Sequence, residues 1–150
     1  MKKILVALAA LLFSCFSLSA QSSEKISGII KSEKATCAQI SYLPALYGNR
    51  ISEDDTEAKA FEVLKNDGLF DSSLSTDSEI TLAQACYVYA QALGISGGLF
   101  YTIFPSPRYA FKEFKAKGLL PNEADPSTKI SGRDSLDLFN ACLALIGGNE

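Results

Sequence analysis

The sequence contains no histidine and no tryptophan, and its one methionine is Met1. Without histidine, the commonest general base, proton shuttle and metal ligand are missing together. A serine or cysteine nucleophile would then need a lysine or an N-terminal amine as its base. Neither a Gly-x-Ser-x-Gly elbow nor a phosphate-binding glycine loop is present. Basic runs are missing too: no stretch of five Lys or Arg occurs, and Lys+Arg is 14 against 17 Asp+Glu. This balance disfavours nucleic acid and anionic lipid as partners. The expectation is a protein that is not an enzyme and carries no cofactor and no metal.

What is present begins with a leader. Met1-Lys2-Lys3 is basic, Ile4 to Phe16 is apolar except for Ser14, and small residues lead to Ala20 ahead of polar Gln21-Ser22-Ser23-Glu24. This is the layout of a secretory signal peptide over residues 1–20, leaving 21–150 as the mature domain. The apolar run is short of the roughly 20 residues that span a bilayer. A buried N-terminal helix is the competing reading, but nothing before Ile4 would cap it. Two processing routes are open. Cleavage after Ala20 releases a soluble chain, whereas Leu12-Phe13-Ser14-Cys15 is a loose lipoprotein signal that would place a lipid on Cys15. A membrane is expected as a partner only on the second route. The destination on both is the periplasm or cell envelope. Loss of Lys2 and Lys3 leaves 12 Lys+Arg against 17 Asp+Glu, a mature charge of −5. Cys37, Cys86 and Cys142 remain after cleavage at Ala20. They allow one disulfide with a free thiol or three buried thiols, and their apolar neighbours favour burial.

Shifting the chain by 50 residues aligns it with itself. Ala60-Phe61 falls on Ala110-Phe111, Lys65 on Lys115, Gly68-Leu69 on Gly118-Leu119, Ile80 on Ile130, Leu93 on Leu143, and Gly97-Gly98 on Gly147-Gly148. Two copies follow, roughly 53–98 and 103–148, each reading as helix, loop, helix. The first helix of copy one opens in acid, Glu53-Asp54-Asp55-Thr56-Glu57, which suits a helix N-terminus. Phe61 with Leu64, and Phe111 with Phe114, mark a buried face. Lys65 and Lys115 fall in the last turn, with Gly68 and Gly118 as left-handed ends. Thr81 with Gln84 is a capping box; Ser131 with Asp134 is a shorter version. In the second helices, of about 14 residues, Leu82, Cys86, Tyr89 and Leu93 match Gly132, Leu136, Phe139 and Leu143 as a core stripe. The Gly-Gly pairs read as helix ends. A partial copy over 32–48, shifted by 46, supplies Cys37, Ile40, Tyr42, Leu43 and Leu46, with Pro44 expected to kink it.

Tyr109-Ala110-Phe111-Lys112-Glu113-Phe114-Lys115-Ala116-Lys117-Gly118-Leu119-Leu120-Pro121, followed by Ile130-Ser131-Gly132-Arg133-Asp134 and an apolar helix, resembles an S-layer homology (SLH) repeat. Ala58 to Ile95 has the same layout, with Ile80-Thr81-Leu82-Ala83-Gln84 at the signature position, and the resemblance spans most of 32–148. It implies an all-α fold, a small bundle of helix–loop–helix repeats, and attachment to cell-wall polysaccharide or a peptidoglycan-linked polymer. The family signature, Ile-Thr-Arg-Ala-Glu, uses its Arg to contact anionic sugar substituents. Here that position holds Leu82 and Gly132, with Arg133 one residue late, and Gln84 and Asp134 replace the Glu. The fold therefore carries over better than the glycan specificity.

The glycan-binding candidates are Arg133, Arg108, Asp134 and Gln84. Asp71 to Glu79 has oxygen ligands at alternate places but lacks the spacing and central Gly of an EF-hand, and reads as a solvated loop. Asp134 and Asp137 lie three apart at a helix start, where dipole complementation explains them more simply than glycosidase chemistry. Leu99-Phe100-Tyr101-Thr102-Ile103-Phe104 is either a strand-like connector tucked against the bundle or an exposed patch for a protein or membrane surface. In the second case Phe100, Tyr101 and Phe104 are its anchors. Two functions follow: a non-catalytic envelope-binding module, or an accessory subunit of a periplasmic or outer-membrane complex engaged through 99–104.

Overall fold

The computed structural model describes residues 23–148; the leader and Cys15 lie outside them. Helix starts are set by hydroxyls. Thr36, Thr56, Thr81, Ser106 and Ser131 stand in extended backbone, and each accepts a hydrogen bond from the amide three residues on. After α1, residues 23–31, these caps open α2 (Cys37–Tyr47), α3 (Glu57–Asn66), α4 (Leu82–Ala92), α6 (Pro107–Ala116) and α7 (Gly132–Gly147). The short α5 (Leu99–Ile103) starts at Gly98 without a side-chain cap. Extended pairing among the described residues is limited to two isolated bridges, Thr36 with Glu79 and Thr81 with Lys129, so the described residues are all-α. No helix among them is long and apolar enough to cross a membrane.

Three buried residues tie the bundle at one point. The Ala35 amide donates to Ile130 O at 2.7 Å, Ile80 N to Ala35 O at 3.1 Å, and Ile130 N to Ile80 O at 3.3 Å. The three bonds form a closed ring, and α2, α4 and α7 each begin two residues beyond one of its members. The first amides of those helices, orphaned by helix geometry, are satisfied by the neighbouring loop. Cys37 and Ala38 donate to Ser78 O and Thr76 O, Leu82 and Ala83 to Thr128 O and Pro126 O, and Gly132 to Ser32 O. Outside the ring α2 packs on α3 and α4 on α6. The start of α7 meets the end of α1 so closely that a Cβ at Gly132 would stand 1.7 Å from Ile29 O. Tyr42, Tyr89, Phe114, Ile29, Leu64 and Val88 are among the largest fully buried side chains.

Several expectations are refined. Phe61, Leu64, Phe111 and Phe114 are buried, and Gly68 and Gly118 take φ of +80° and +72° after α3 and α6. The acids Glu53 to Asp55 precede α3 rather than open it. Asp55 accepts from Ser52 and Lys59, which holds its carboxyl down at about 2, and only Glu57 lies in the first turn. Gly97-Gly98 does not end α4, which stops before Gly94 at φ +65°; the pair instead leads into α5. Along α7 the covered residues are Gly132, Ser135, Leu138, Phe139 and Cys142, while Leu136 and Leu143 are half-buried. The capping box of α2 is Thr36 with Gln39, 45 residues before Thr81 and Gln84, so the register of the N-terminal segment is one residue off the shift of 46. Pro44 lies buried inside α2. Cys37, Cys86 and Cys142 are buried free thiols, as their surroundings favoured.

Candidate functional site

Three concavities lie where loops meet helix starts. The first, about 510 Å³, has Leu82, Leu119, Leu120 and Leu138 as its apolar lining, with Asp125, Asp134 and Asp137 also along it. The second, about 480 Å³, lies against Leu69, Phe70, Leu74, Gln84 and Tyr87, with Pro105-Ser106-Pro107 along one side. The third, about 690 Å³, is basic. Arg108, Lys112 and Lys115 sit on one side of α6 at i, i+4 and i+7, with Phe111 among them and Ala83 and Pro126 completing the lining.

Charge separates this third surface from the rest. The positions 50 residues earlier are Ala58, Glu62 and Lys65, so only α6 carries three cations in this arrangement. The ion pairs among the described residues are Lys34–Glu79, Arg50–Asp67 and Lys59–Asp55, none of which uses an α6 cation. Lys115 is committed to the fold. Its Nζ donates to Asn122 O at 2.5 Å and lies 5.7 Å from the centre of the Phe111 ring, as Lys65 does with Ser72 O, Leu74 O and the Phe61 ring. Arg108 is exposed, and Lys112 lies 5.6 Å from the centre of the Tyr109 ring. Both have charge to offer a ligand.

The four glycan-binding candidates do not converge. Arg108 belongs to the basic concavity, Asp134 to the first and Gln84 to the second, while Arg133 is exposed on the first turn of α7. Gln84 and Asp134 are engaged in caps. Gln84 Oε1 accepts from the Thr81 amide at 2.9 Å, and the Ser131 hydroxyl donates to Asp134 Oδ2 at 2.7 Å. Lys112 and Lys115 were not among those candidates; their spacing from Arg108 is the signal that reveals them.

Segment 99–104 is not strand-like: Leu99–Ile103 is helical and Phe104 caps its end. Phe100 and Phe104 are exposed, with Leu99 and Ile103 beside them. Tyr101 is not an exposed anchor: it is 6 % exposed, and Gln91 Nε2 donates to its hydroxyl at 2.7 Å. A helical turn must send one side of the segment inward, and Gly97 leaves the space for the Tyr101 ring. In the 71–79 loop, Asp71 accepts from the amide and hydroxyl of Ser73, which lowers its carboxyl pKa. No group of three or more Cys, Asp or Glu placed to hold a metal ion occurs among the described residues. No protein-family model, curated protein or solved structure matches the chain.

Proposed function

We propose that this chain is an exported, non-catalytic module of the cell envelope, built from SLH-like helix–loop–helix units, that holds an anionic envelope polymer on the basic concavity of α6. The units are α1–α2, α3–α4 and α6–α7. The ring of Ala35, Ile80 and Ile130 supports this reading, since it joins the same point of each unit. The polymer is peptidoglycan or a polysaccharide linked to it. The observation that carries the binding role is the grouping of Arg108, Lys112 and Lys115 around an apolar floor, in a chain whose mature charge is −5. Exposed cations over an apolar surface suit a sugar ring bearing carboxylate or phosphate, whose face packs while its charge is paired.

Co-sedimentation of the mature chain with purified sacculi tests this. Binding should weaken with added salt and fall at least about tenfold in Arg108→Glu/Lys112→Glu, two charge reversals at the contact. Arg133→Ala, away from the concavity, should bind nearly as the wild type. Unchanged binding by the double variant would refute the assignment.

A further inference from the structure

We infer that α5 and the adjoining edge of α6 form a surface that seats the protein on a lipid bilayer interface bearing anionic headgroups. This goes beyond the polymer-binding reading: its apolar contacts are made by side chains outside that site, while Arg108 and Lys112 are shared with it. Leu99, Phe100, Ile103 and Phe104 are 70, 65, 54 and 62 % exposed, four large apolar residues within six positions. They are not loose. Tyr101, turned inward onto Gln91, pins the helix to the bundle, and the Phe100 ring stacks on Tyr109 of α6 at 6.1 Å and 12°. Part of the polar backbone between the apolar side chains is paired locally. Thr102 donates from both its amide and its hydroxyl to Gly98 O, and Phe104 N donates to Phe100 O.

Charge at the edge of the tip selects the kind of interface. From Ile80 to Lys112 the sequence has no acid, while Arg108 and Lys112 follow the apolar segment directly. Lys112 reaches the same Tyr109 ring on which Phe100 stacks. Glu113 places its carboxylate beside Gly98 at the start of α5. An exposed apolar tip bordered by two cations matches acyl boundary and anionic headgroup in that order. A fluid interface accepts such a tip without a pocket shaped to receive it, whereas a protein partner or a second copy needs one.

The absence of tryptophan supplies the probe. In mature Phe100→Trp, vesicles of phosphatidylglycerol and phosphatidylethanolamine should shift the emission to the blue. Phosphatidylcholine vesicles should do so more weakly. The unlabelled wild type should float with the anionic vesicles. Phe100→Ser/Phe104→Ser should lose this partition by about tenfold or more, as expected when two aromatic rings no longer leave water. Leu99→Ser/Ile103→Ser serves as a second variant. Circular dichroism confirms that each is folded, and sacculus binding should be retained, which separates this surface from the polymer site. Failure of the wild type to float overturns the inference, as does flotation indifferent to both pairs. It is equally overturned if these residues mediate only self-association in sedimentation velocity, or only crosslinking to one envelope protein without lipid.

Discussion

Gly132→Ala is the substitution for which secondary-structure propensity and tertiary packing predict opposite signs. Gly132 is the first residue of α7, and alanine within a helix is favoured over glycine by up to about 1 kcal/mol. Its Cβ, however, would lie 1.7 Å from Ile29 O, 2.7 Å from Ile29 C and 3.3 Å from Ser32 Cβ. The nearest obstacle is backbone, so no rotamer change relieves it, and α1 must move away from α7. That motion weakens the Gly132 N to Ser32 O bond of 2.9 Å, a loss of about 0.5–1.5 kcal/mol. It also uncovers part of Ile29, now 2 % exposed, whose full burial is worth about 1.5–3 kcal/mol. About half of that burial added to the lost bond is about 1–3 kcal/mol, which against the helix gain leaves a net destabilisation of about 0.5–2 kcal/mol. Urea unfolding followed by circular dichroism should show a lower midpoint at unchanged slope. Gly147→Ala is the control: it lies in the same helix with nothing within 4 Å of its Cβ, and should be neutral or slightly stabilising. A Gly132→Ala protein as stable as Gly147→Ala would refute the close approach of α1 to α7.

Thr36→Ala and Thr81→Ala should each cost about 1 kcal/mol in the same assay, since each removes the hydroxyl half of a complete capping box. Cys37, Cys86 and Cys142 should resist a thiol reagent at pH 8 in the folded chain and react together in denaturant, because all three are buried. Burial also raises their pKa from the ordinary 9.0, to about 11 for Cys37 and about 12 for Cys142, with Cys86 raised as well. The unfolded chain therefore releases these protons first. Their contribution to stability is complete below about pH 9 and declines as pH rises through 11 and 12. A pH series of urea midpoints checks the direction, and Cys37→Ala should flatten the decline.

How much of this was legible in the sequence depends on the range of the interaction concerned. Caps act over three residues, so Thr81 with Gln84 is visible as spacing. Thr36-Cys37-Ala38-Gln39 carries the same sign, Thr-x-Ala-Gln, and fixes the shift at 45; the match of Ser32-Glu33 to Ser78-Glu79 at 46 obscures it. The faces of α3 and α6 follow from helical period because each has one wet side. The 99–104 segment has no such period: it is apolar throughout except for Thr102, and only the space left by Gly97 selects Tyr101 for the interior. Gly132 looks in the sequence like the loss of a ligand-reading arginine. In the structure it is the point where α7 touches the backbone of α1, a contact with no local signature. The cations of the basic concavity lie at helical spacing on one segment, whereas Ala83 and Pro126 reach it only through folding.

A net charge of −3 argues against polyanion binding only if charge acts as an average, and at physiological ionic strength it does not. The screening length is about 8 Å, so a ligand on α6 senses the groups within one or two side-chain lengths. In sequence, no acid falls between Glu79 and Glu113. Arg108 and Lys112 stand at the end of that acid-free interval, beside the exposed tip of α5. The global balance governs long-range encounter, while the segment from α5 through α6 would govern contact with the proposed ligands. Neutral, apolar and basic residues stand together on this one segment, which is how an acidic chain would hold the proposed polymer and rest on the proposed surface.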